Sequence, residues 1–355
     1  MRKKIIGHSR WWHVSHKYRL RKAKQKAKNL RIARNCRKKT KYRREREGHI
    51  HNGVVQQTLF APKYFSLLQY PENVLSFIRK IEKILLDNSG VKIVKFELCN
   101  VSAIDIGAIC LFLSKLNELS KKNIRSWGTF PDDERCKKVI VDSGFLDRMK
   151  DVVKKATFPR NNKNLILNRG FDRTDNAATA REIRKAVQHL TGTEDNYKPI
   201  YSIAQEICAN SVEHANEDKQ KKNWLFSTSY MEDKVIFTMT DIGEGILKTI
   251  RRKFFKQIQD SMLNDSKEIL LNAFEKQYES RTKDPNRNKG LPKIYNTSQN
   301  KHIENLIVIT NNVFLDFENP QNSKILKNKF KGTFYYWTLN KECIERWRSR
   351  FTKLQ

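Results

Sequence analysis

The sequence contains no cysteine pair at CxxC spacing and no apolar run long enough to cross a membrane. Its six cysteines are scattered, and most lie in apolar stretches, which predicts buried free thiols in a reducing compartment. The longest apolar stretch, residues 104–113, contains Asp105 and is much shorter than the roughly 20 residues of a spanning helix. The N-terminus has no apolar segment typical of a secretory signal. We therefore expect a cytoplasmic protein with no membrane partner.

Acidic residues are scarce in the first 50 positions, where 20 Lys and Arg stand against 2 Asp and Glu. This segment carries more than half of the formal net charge of +33. We interpret residues 1–53 as a basic tail that binds nucleic acid through its phosphates, with RNA and DNA equally open. A solvated tail that only aids solubility is the alternative. The candidate nucleic-acid residues are Arg10, Trp11, Trp12, Arg19, Arg21, Lys22, Lys24, Lys26 and Lys28.

The GxxxxGK[ST] phosphate-binding loop is also missing, which excludes a P-loop nucleotide site. A chain of 355 residues has room for two domains and a tail. Residues 54–150 alternate strand-like runs (91–98 and 124–129) with helix-like runs (104–119 and 132–141). This alternation predicts a small α/β domain.

The second half of the chain begins after a polar and basic segment, residues 151–170, that we interpret as a linker. Two helical patterns, at 175–190 and 199–215, come before strand patterns at 224–230, 235–241, 306–310 and 332–339. The order predicts an α/β sandwich over 171–340, with helices on one face of a mixed sheet. Residues 341–355 are predicted to form a C-terminal helix.

A carboxylate and an amide lie one turn apart in the helix predicted at 199–215. Glu206 and Asn210 are four residues apart, so they share a helix face. Asn210 can give a neutral oxygen to Mg²⁺, and Glu206 can take a proton from a hydroxyl or a water that attacks a γ-phosphate. Two solvated polar residues are the alternative interpretation of this pair.

Three glycine-containing segments follow in fixed order. Asp241 ends a strand beside Gly243 and Gly245, where a carboxylate can accept a hydrogen bond from the amine of adenine. The segment Lys289-Gly290-Leu291 opens a helix whose first N–H groups can meet phosphate oxygens. Thr333, after Gly332, can join the hydrogen bonds of the adenine site.

In this order the segments resemble the GHKL ATPases over residues 171–340, and within that group the anti-sigma-factor serine kinases. The resemblance implies a Bergerat ATP fold with ATP and Mg²⁺ as cofactors and Glu206 as general base. It implies a lid at about 247–289, which is long for an anti-sigma kinase and ends in a glycine-poor motif. The residues that it assigns to the cofactor are Asn210 (also the Mg²⁺ ligand), His214, Asp241, Gly243, Gly245, Ile246, Lys289, Gly290, Leu291 and Thr333.

The segment from Phe96 to Ala108, with Asp105-Ile106-Gly107 at a helix start, resembles the STAS domains of anti-sigma-factor antagonists. The later Ser143-Gly144-Phe145 segment supports the same resemblance, which covers about residues 60–150. It implies a protein partner for this domain, and a homodimer is open. Ile106 stands where those antagonists carry a phosphorylated hydroxyl, so we expect no phosphorylation switch here. A packing domain without chemistry is the alternative.

These patterns support three hypotheses about function. The first is an ATP-dependent regulatory switch whose tail contacts nucleic acid or a ribonucleoprotein. The second is an anti-sigma-type protein serine/threonine kinase, in which Glu206 deprotonates a partner hydroxyl. The third is a non-enzymatic nucleic-acid adaptor with a degenerate nucleotide site.

Overall fold

The structure, a computed structural model, describes residues 24–25, 49–51, 54–86, 90–148, 165–168, 176–213, 224–241, 243–260, 265–275, 278 and 290–352. It is a mixed α/β protein whose described helices and sheets stack in alternating layers. Most elements expected from the sequence are present within one to three residues of their predicted bounds, apart from the two long strands near the C-terminus.

The first layer is a sheet in the order β1-β2-β4-β6, formed by His49–His51, Val54–Phe60, Ile93–Glu97 and Arg125–Gly128. Its β2–β4 and β4–β6 pairs are parallel, whereas β1 and β2 form an antiparallel pair. Helix α1 (Pro71–Leu86) connects β2 to β4, and helix α2 (Ile106–Lys121) connects β4 to β6. A small ladder pairs β3 (Tyr64–Phe65) with β5 (Ala103–Ile104), and helix α3 (Glu134–Asp142) and a 3₁₀ turn (Phe145–Arg148) follow.

Helix α2 is buried on all sides. Every residue from Ile106 to Leu116 is buried, so the helix has no solvent face along most of its length. A helix that is apolar all round needs packing partners on two sides. Phe112 contacts the first sheet through Phe96, with ring centroids 4.9 Å apart. On the other side Thr238, from a second sheet, hydrogen-bonds the sulfur of Cys110 at 3.4 Å.

The second sheet has the order β10-β11-β9-β8-β7 within the described residues. Every neighbouring pair described in it is antiparallel, so the expectation of a mixed sheet is wrong. The helices between β7 and β8 join two antiparallel neighbours. Those between β9 and β10 lead to a strand that runs in the same direction as β9 but is separated from it by β11. The strands are β7 (Leu165–Asn168), β8 (Trp224–Tyr230), β9 (Lys234–Asp241), β10 (Glu304–Asp316) and β11 (Lys324–Asn340).

Strand β7 lies inside residues 151–170, which the sequence led us to treat as a linker. It pairs with β8 from Leu165↔Thr228 to Asn168↔Leu225 and forms an edge of the second sheet. This part of the predicted linker is therefore structural. The polar and basic composition around it concealed a short Leu-Ile-Leu run.

The two faces of the second sheet contribute to two different cores. On β11, Phe334 belongs to the core that holds α1 and α2, whereas Tyr335 and Trp337 belong to a second core. On β9, Ile236 faces the first core and Phe237 the second. This alternation follows from the period of two in a strand. The sequence placed helices on one face only, but the other face is covered by the helices of the preceding α/β unit.

The outer layer on the second core contains helices from the second half of the chain. They are α4 (Asn176–Thr191), α5 (Lys198–Glu213), α6 (Ile246–Lys253), α7 (Phe255–Asp260), α8 (Ser266–Phe274), α9 (Gly290–Gln299) and α10 (Lys341–Thr352). Asp265 is the N-cap of helix α8, and its side chain accepts a hydrogen bond from the N–H of Lys267 at 2.9 Å.

Much of the predicted lid is packed rather than loose. Leu247, Ile250, Leu270 and Phe274 are buried in the second core, and Tyr278 is also buried there. The OH group of Tyr278 donates to the carbonyl of Ile269 at 3.2 Å. Residues 261–264, 276–277 and 279–289 of the predicted lid lie outside the described residues.

The five cysteines within the described residues are free and buried, as the sequence predicted, and Cys36 lies outside them. Among the described helices, none combines the length and apolar character needed to cross a bilayer.

Candidate functional site

Strand β9 ends on Asp241, whose carboxylate organises the segments around it. Its Oδ1 accepts hydrogen bonds from the N–H of Thr333 on β11, at 2.8 Å, and from the N–H of Gly243, at 3.3 Å. Asp241 lies on the face of β9 that carries Val235, Phe237 and Met239, because alternate residues share a face. The carboxylate is therefore on the side of the sheet covered by the outer helices.

Strand β10 contacts the glycine turn that follows Asp241. Gly245 has φ +86° and precedes helix α6, which begins at Ile246. A Cβ at Gly245 would lie 2.5 Å from Oδ1 of Asn311, so a side chain would clash there. The N–H of Ile246 donates to Oγ1 of Thr310 at 2.9 Å. The predicted glycines thus make a close approach between the turn and strand β10 possible.

Two residues that the sequence analysis missed fix this turn. Asn311 has φ +53° where the pairing of β10 and β11 is irregular, and its Nδ2 donates to the carbonyl of Glu244 at 2.8 Å. Its Oδ1 accepts from the N–H of Lys248 at 3.2 Å. Thr310 donates to the carbonyl of Gly332 at 3.1 Å. The Asn311-Asn312 pair inside an apolar strand was the available signal, since Asn tolerates positive φ.

Gly332 brings β11 against Asp241. It has φ +116°, and a Cβ there would lie 2.1 Å from the carbonyl oxygen of Asp241. The hydroxyl of the next residue, Thr333, lies 3.3 Å from that of Thr310, and both side chains are buried. We call Asp241, Gly243, Gly245, Thr310, Asn311, Gly332 and Thr333 the Asp241 cluster.

Burial and charge act together next to this cluster. Tyr335 is fully buried, and burial together with the negative charge of Asp241 raises the pKa of its hydroxyl well above the ordinary value. At the exposed end of the turn, the hydrogen bond from Lys248 lowers the pKa of the Glu244 carboxyl. A buried tyrosine therefore lies next to the cluster, and charged, exposed side chains lie at the outer end of its glycine turn.

A second group of predicted residues lies on helices α5 and α9. Glu206 is partly exposed, and its Oε1 accepts a hydrogen bond from Nζ of Lys293 at 3.0 Å. Helix α9 begins at Gly290, as predicted, and Leu291 packs against the second core. Lys293 was not identified from the sequence as a partner of Glu206, because 87 residues separate the two.

The remaining predicted cofactor residues are only partly described. Asn210 lies one turn after Glu206 in α5, but its side chain is outside the described residues, as are His214 and Lys289 entirely. The structure brings Asp241, Gly243, Gly245 and Thr333 together in the Asp241 cluster, and Ile246 contacts the cluster through the hydrogen bond from its N–H to Thr310. Glu206 and Gly290 lie in helices that contact each other, in the layer on the same face of the sheet.

Such an arrangement suits a flat base at the Asp241 cluster. A carboxylate at a strand end accepts hydrogen bonds from an exocyclic amine, and Gly243 is exposed beside it. The absence of a Cβ lets Gly245 lie against the side chain of Asn311 and lets Gly332 lie against the main-chain carbonyl of Asp241. Within the described residues no group of three or more His, Cys, Asp and Glu side chains could hold a metal ion.

The helix start in the first unit has a structural role. Asp105 caps α2 by accepting from the N–H of Ala108 at 2.7 Å, and its other oxygen accepts from the hydroxyl of Ser66 at 2.6 Å. A Cβ at Gly107 would lie 2.8 Å from Cζ of Phe334 on β11. The segment that resembles an antagonist phosphorylation site is thus packed against the second sheet.

Of the nine candidate nucleic-acid residues in the tail, only Lys24 lies within the described residues, and it is exposed in a short helical fragment. The interpretation of Arg10, Trp11, Trp12 and the other basic residues stays a prediction.

No protein-family model matches this chain, and a search of curated proteins gives no match either. The functional interpretation therefore depends on the residues and their geometry.

Proposed function

We propose that this chain binds ATP with Mg²⁺ and acts as an ATP-dependent regulatory switch, with its basic tail contacting nucleic acid or a ribonucleoprotein. The fold proposed for residues 171–340 is of the GHKL type, preceded by a STAS-like unit. In this proposal Asp241 accepts a hydrogen bond from the adenine amine. Asn210 is the proposed Mg²⁺ ligand, and Glu206 is the proposed general base.

The observation that carries the proposal is the Asp241 cluster. One carboxylate at a strand end is held by the N–H groups of Gly243 and Thr333. Gly245 and Gly332, both at positive φ, allow close contact with the side chain of Asn311 and with the main chain of Asp241. Four polar residues from three strands fix this turn: Asp241, Thr310, Asn311 and Thr333. A simple reversal of the chain does not require so many. Preorganised polar groups of this kind are typical of ligand sites.

The test is incubation of the full chain with ATP carrying a labelled γ-phosphate, after binding has been measured by calorimetry. Release of free labelled phosphate that is lost in Glu206→Gln supports the switch. Transfer of label to a protein would instead support a serine/threonine kinase. If ATP does not bind, and Asp241→Asn changes nothing, the chain is not an ATP-binding protein and the adaptor hypothesis takes its place.

A further inference from the structure

Three lysines occupy alternate positions on the first half of β11. Lys327, Lys329 and Lys331 are exposed, whereas Leu326 and Phe330 between and beside them are buried in the first core. The alternation of exposed and buried residues indicates that the three lysines point away from the first core. This part of β11 pairs irregularly with β10, with register shifts between the pairs Val313↔Ile325, Asn311↔Phe330 and Thr310↔Thr333. We call the three lysines the lysine row.

The positive charge of the lysine row is not neutralised locally. Within the part of the chain that the structure describes, none of the three ammonium groups forms an ion pair. Glu72 of helix α1 lies at this edge of the strand, but its carboxylate accepts hydrogen bonds from the backbone N–H groups of Lys327 and Asn328. The lysine row therefore keeps a net positive charge that an external anion can neutralise.

The strand that carries the row is held in place on both edges. One edge pairs with β10, at Phe314↔Lys324 and Asn311↔Phe330. The other is closed by Glu72, which also accepts a hydrogen bond from Nδ2 of Asn328 at 2.9 Å. Arg79 of α1 donates to Oδ1 of the same asparagine at 3.4 Å. Contacts with β10 and with α1 therefore hold the strand that carries the lysines before any partner binds.

We propose that the lysine row binds the sugar–phosphate backbone of a nucleic acid, independently of the N-terminal tail. Three exposed positive charges close together along one strand match a polyanion, and lysine ammonium groups bind phosphates without reading bases. An anionic membrane fits less well, because Ile325 is the one exposed large apolar side chain described on this half of β11. This proposal does not depend on ATP binding at the Asp241 cluster.

The test compares two triple variants of the full chain. Lys327→Gln, Lys329→Gln and Lys331→Gln remove the row, and Lys92→Gln, Lys138→Gln and Lys256→Gln remove the same charge from exposed positions elsewhere. Fluorescence anisotropy with labelled RNA and DNA oligonucleotides, single-stranded and duplex, is measured over a salt titration. Each phosphate contact contributes about 0.7 to the slope of log K against log salt on single strands and about 0.9 on duplexes. The row variant should therefore lose about 2 from the slope on single strands and nearly 3 on duplexes, and the control variant should keep the slope.

Equal slopes in the two variants would overturn the proposal, as would a row variant that loses binding only to vesicles containing phosphatidylserine. A second measurement covers a row variant that fails to fold. The unmodified chain is acetylated briefly with and without RNA, and lysine modification is read by mass spectrometry. Protection of Lys327, Lys329 and Lys331 without protection of Lys92, Lys138 and Lys256 supports the row, and equal modification in both sets contradicts it.

Discussion

Lys293 forms an ion pair with Glu206, with Nζ and Oε1 3.0 Å apart, and so joins helix α9 to helix α5. The two side chains are 44% and 28% exposed. Pairs with this exposure contribute at most about 1 kcal/mol to stability. The contact is therefore weak enough to be exchanged for another negative charge. In the proposed site the γ-phosphate of ATP is that charge, and its arrival would release the carboxylate of Glu206 for chemistry.

We predict that Glu206→Gln leaves ATP affinity within about threefold of the original and reduces phosphate release by at least about 100-fold. A general base contributes roughly 10² to 10⁴ in rate, and the amide of Gln keeps the size of the side chain. Calorimetry gives the affinity and a coupled phosphate assay gives the rate.

Lys293→Met is the matched variant on the other side of the ion pair. It should change the melting temperature by no more than a few degrees, because the pair is partly exposed. It should weaken ATP binding more than ADP binding if Lys293 moves to the γ-phosphate. Equal loss for the two nucleotides would exclude that movement.

Asp241→Asn should weaken ATP binding by at least about tenfold while the protein stays folded. Asn keeps an oxygen that can accept from the N–H groups of Gly243 and Thr333, but it lacks the charge that strengthens a hydrogen bond from the adenine amine. Calorimetry with ATP and GTP measures the effect. An unchanged preference for ATP in this variant would show that Asp241 does not contact the base.

Gly332→Ala should destabilise the protein by about 3 kcal/mol, because positive φ is unfavourable for Ala and the new Cβ would lie 2.1 Å from the carbonyl oxygen of Asp241. Gly192→Ala is the control, since Gly192 also has positive φ but open space around it, and it should cost about 1 kcal/mol. Urea unfolding compares the two. Equal costs would mean that the backbone approach at Gly332 relaxes freely.

The local elements were predictable because their signals are short-range. The strand at 224–230 matched its predicted bounds, and α2 ended within two residues of expectation, since apolar periodicity and capping residues such as Asp105 act over one or two turns. Asp241, Gly243 and Thr333 were also identified, because a strand end with glycines carries its own local signal.

The features that were missed depend on distant partners. The pairing of Glu206 with Lys293 and the hydrogen bond from Asn311 to the carbonyl of Glu244 join positions far apart in sequence. The packing of α2 between two sheets was indicated only by its unbroken apolar character, which does not say what lies on each side. Sheet direction could not be read either, since antiparallel and parallel strands share the same alternation.

Gly107→Ala tests whether the first unit and the second sheet share one core. The new Cβ would lie 2.8 Å from Cζ of Phe334, and overpacking of this kind costs about 1 to 3 kcal/mol. The shorter side chain in Phe334→Leu should remove the clash, so the double variant should be more stable than the sum of the single effects predicts. Urea unfolding of the four proteins gives the coupling energy, and purely additive effects would mean that the two residues do not press on each other.

His302 should make stability fall in mild acid. It is buried, and burial, followed by the positive charges of Arg350 and Arg346, lowers the pKa of its imidazole below the ordinary 6.5. Below about pH 6.5 the unfolded chain therefore binds a proton that the folded chain resists, so the free energy of unfolding decreases as the pH falls through that range. His302→Gln removes this titration. Between pH 7.5 and pH 5, the unmodified protein should lose more stability in urea unfolding than His302→Gln does, and identical losses would show that His302 stays unprotonated in both states or protonates equally in both.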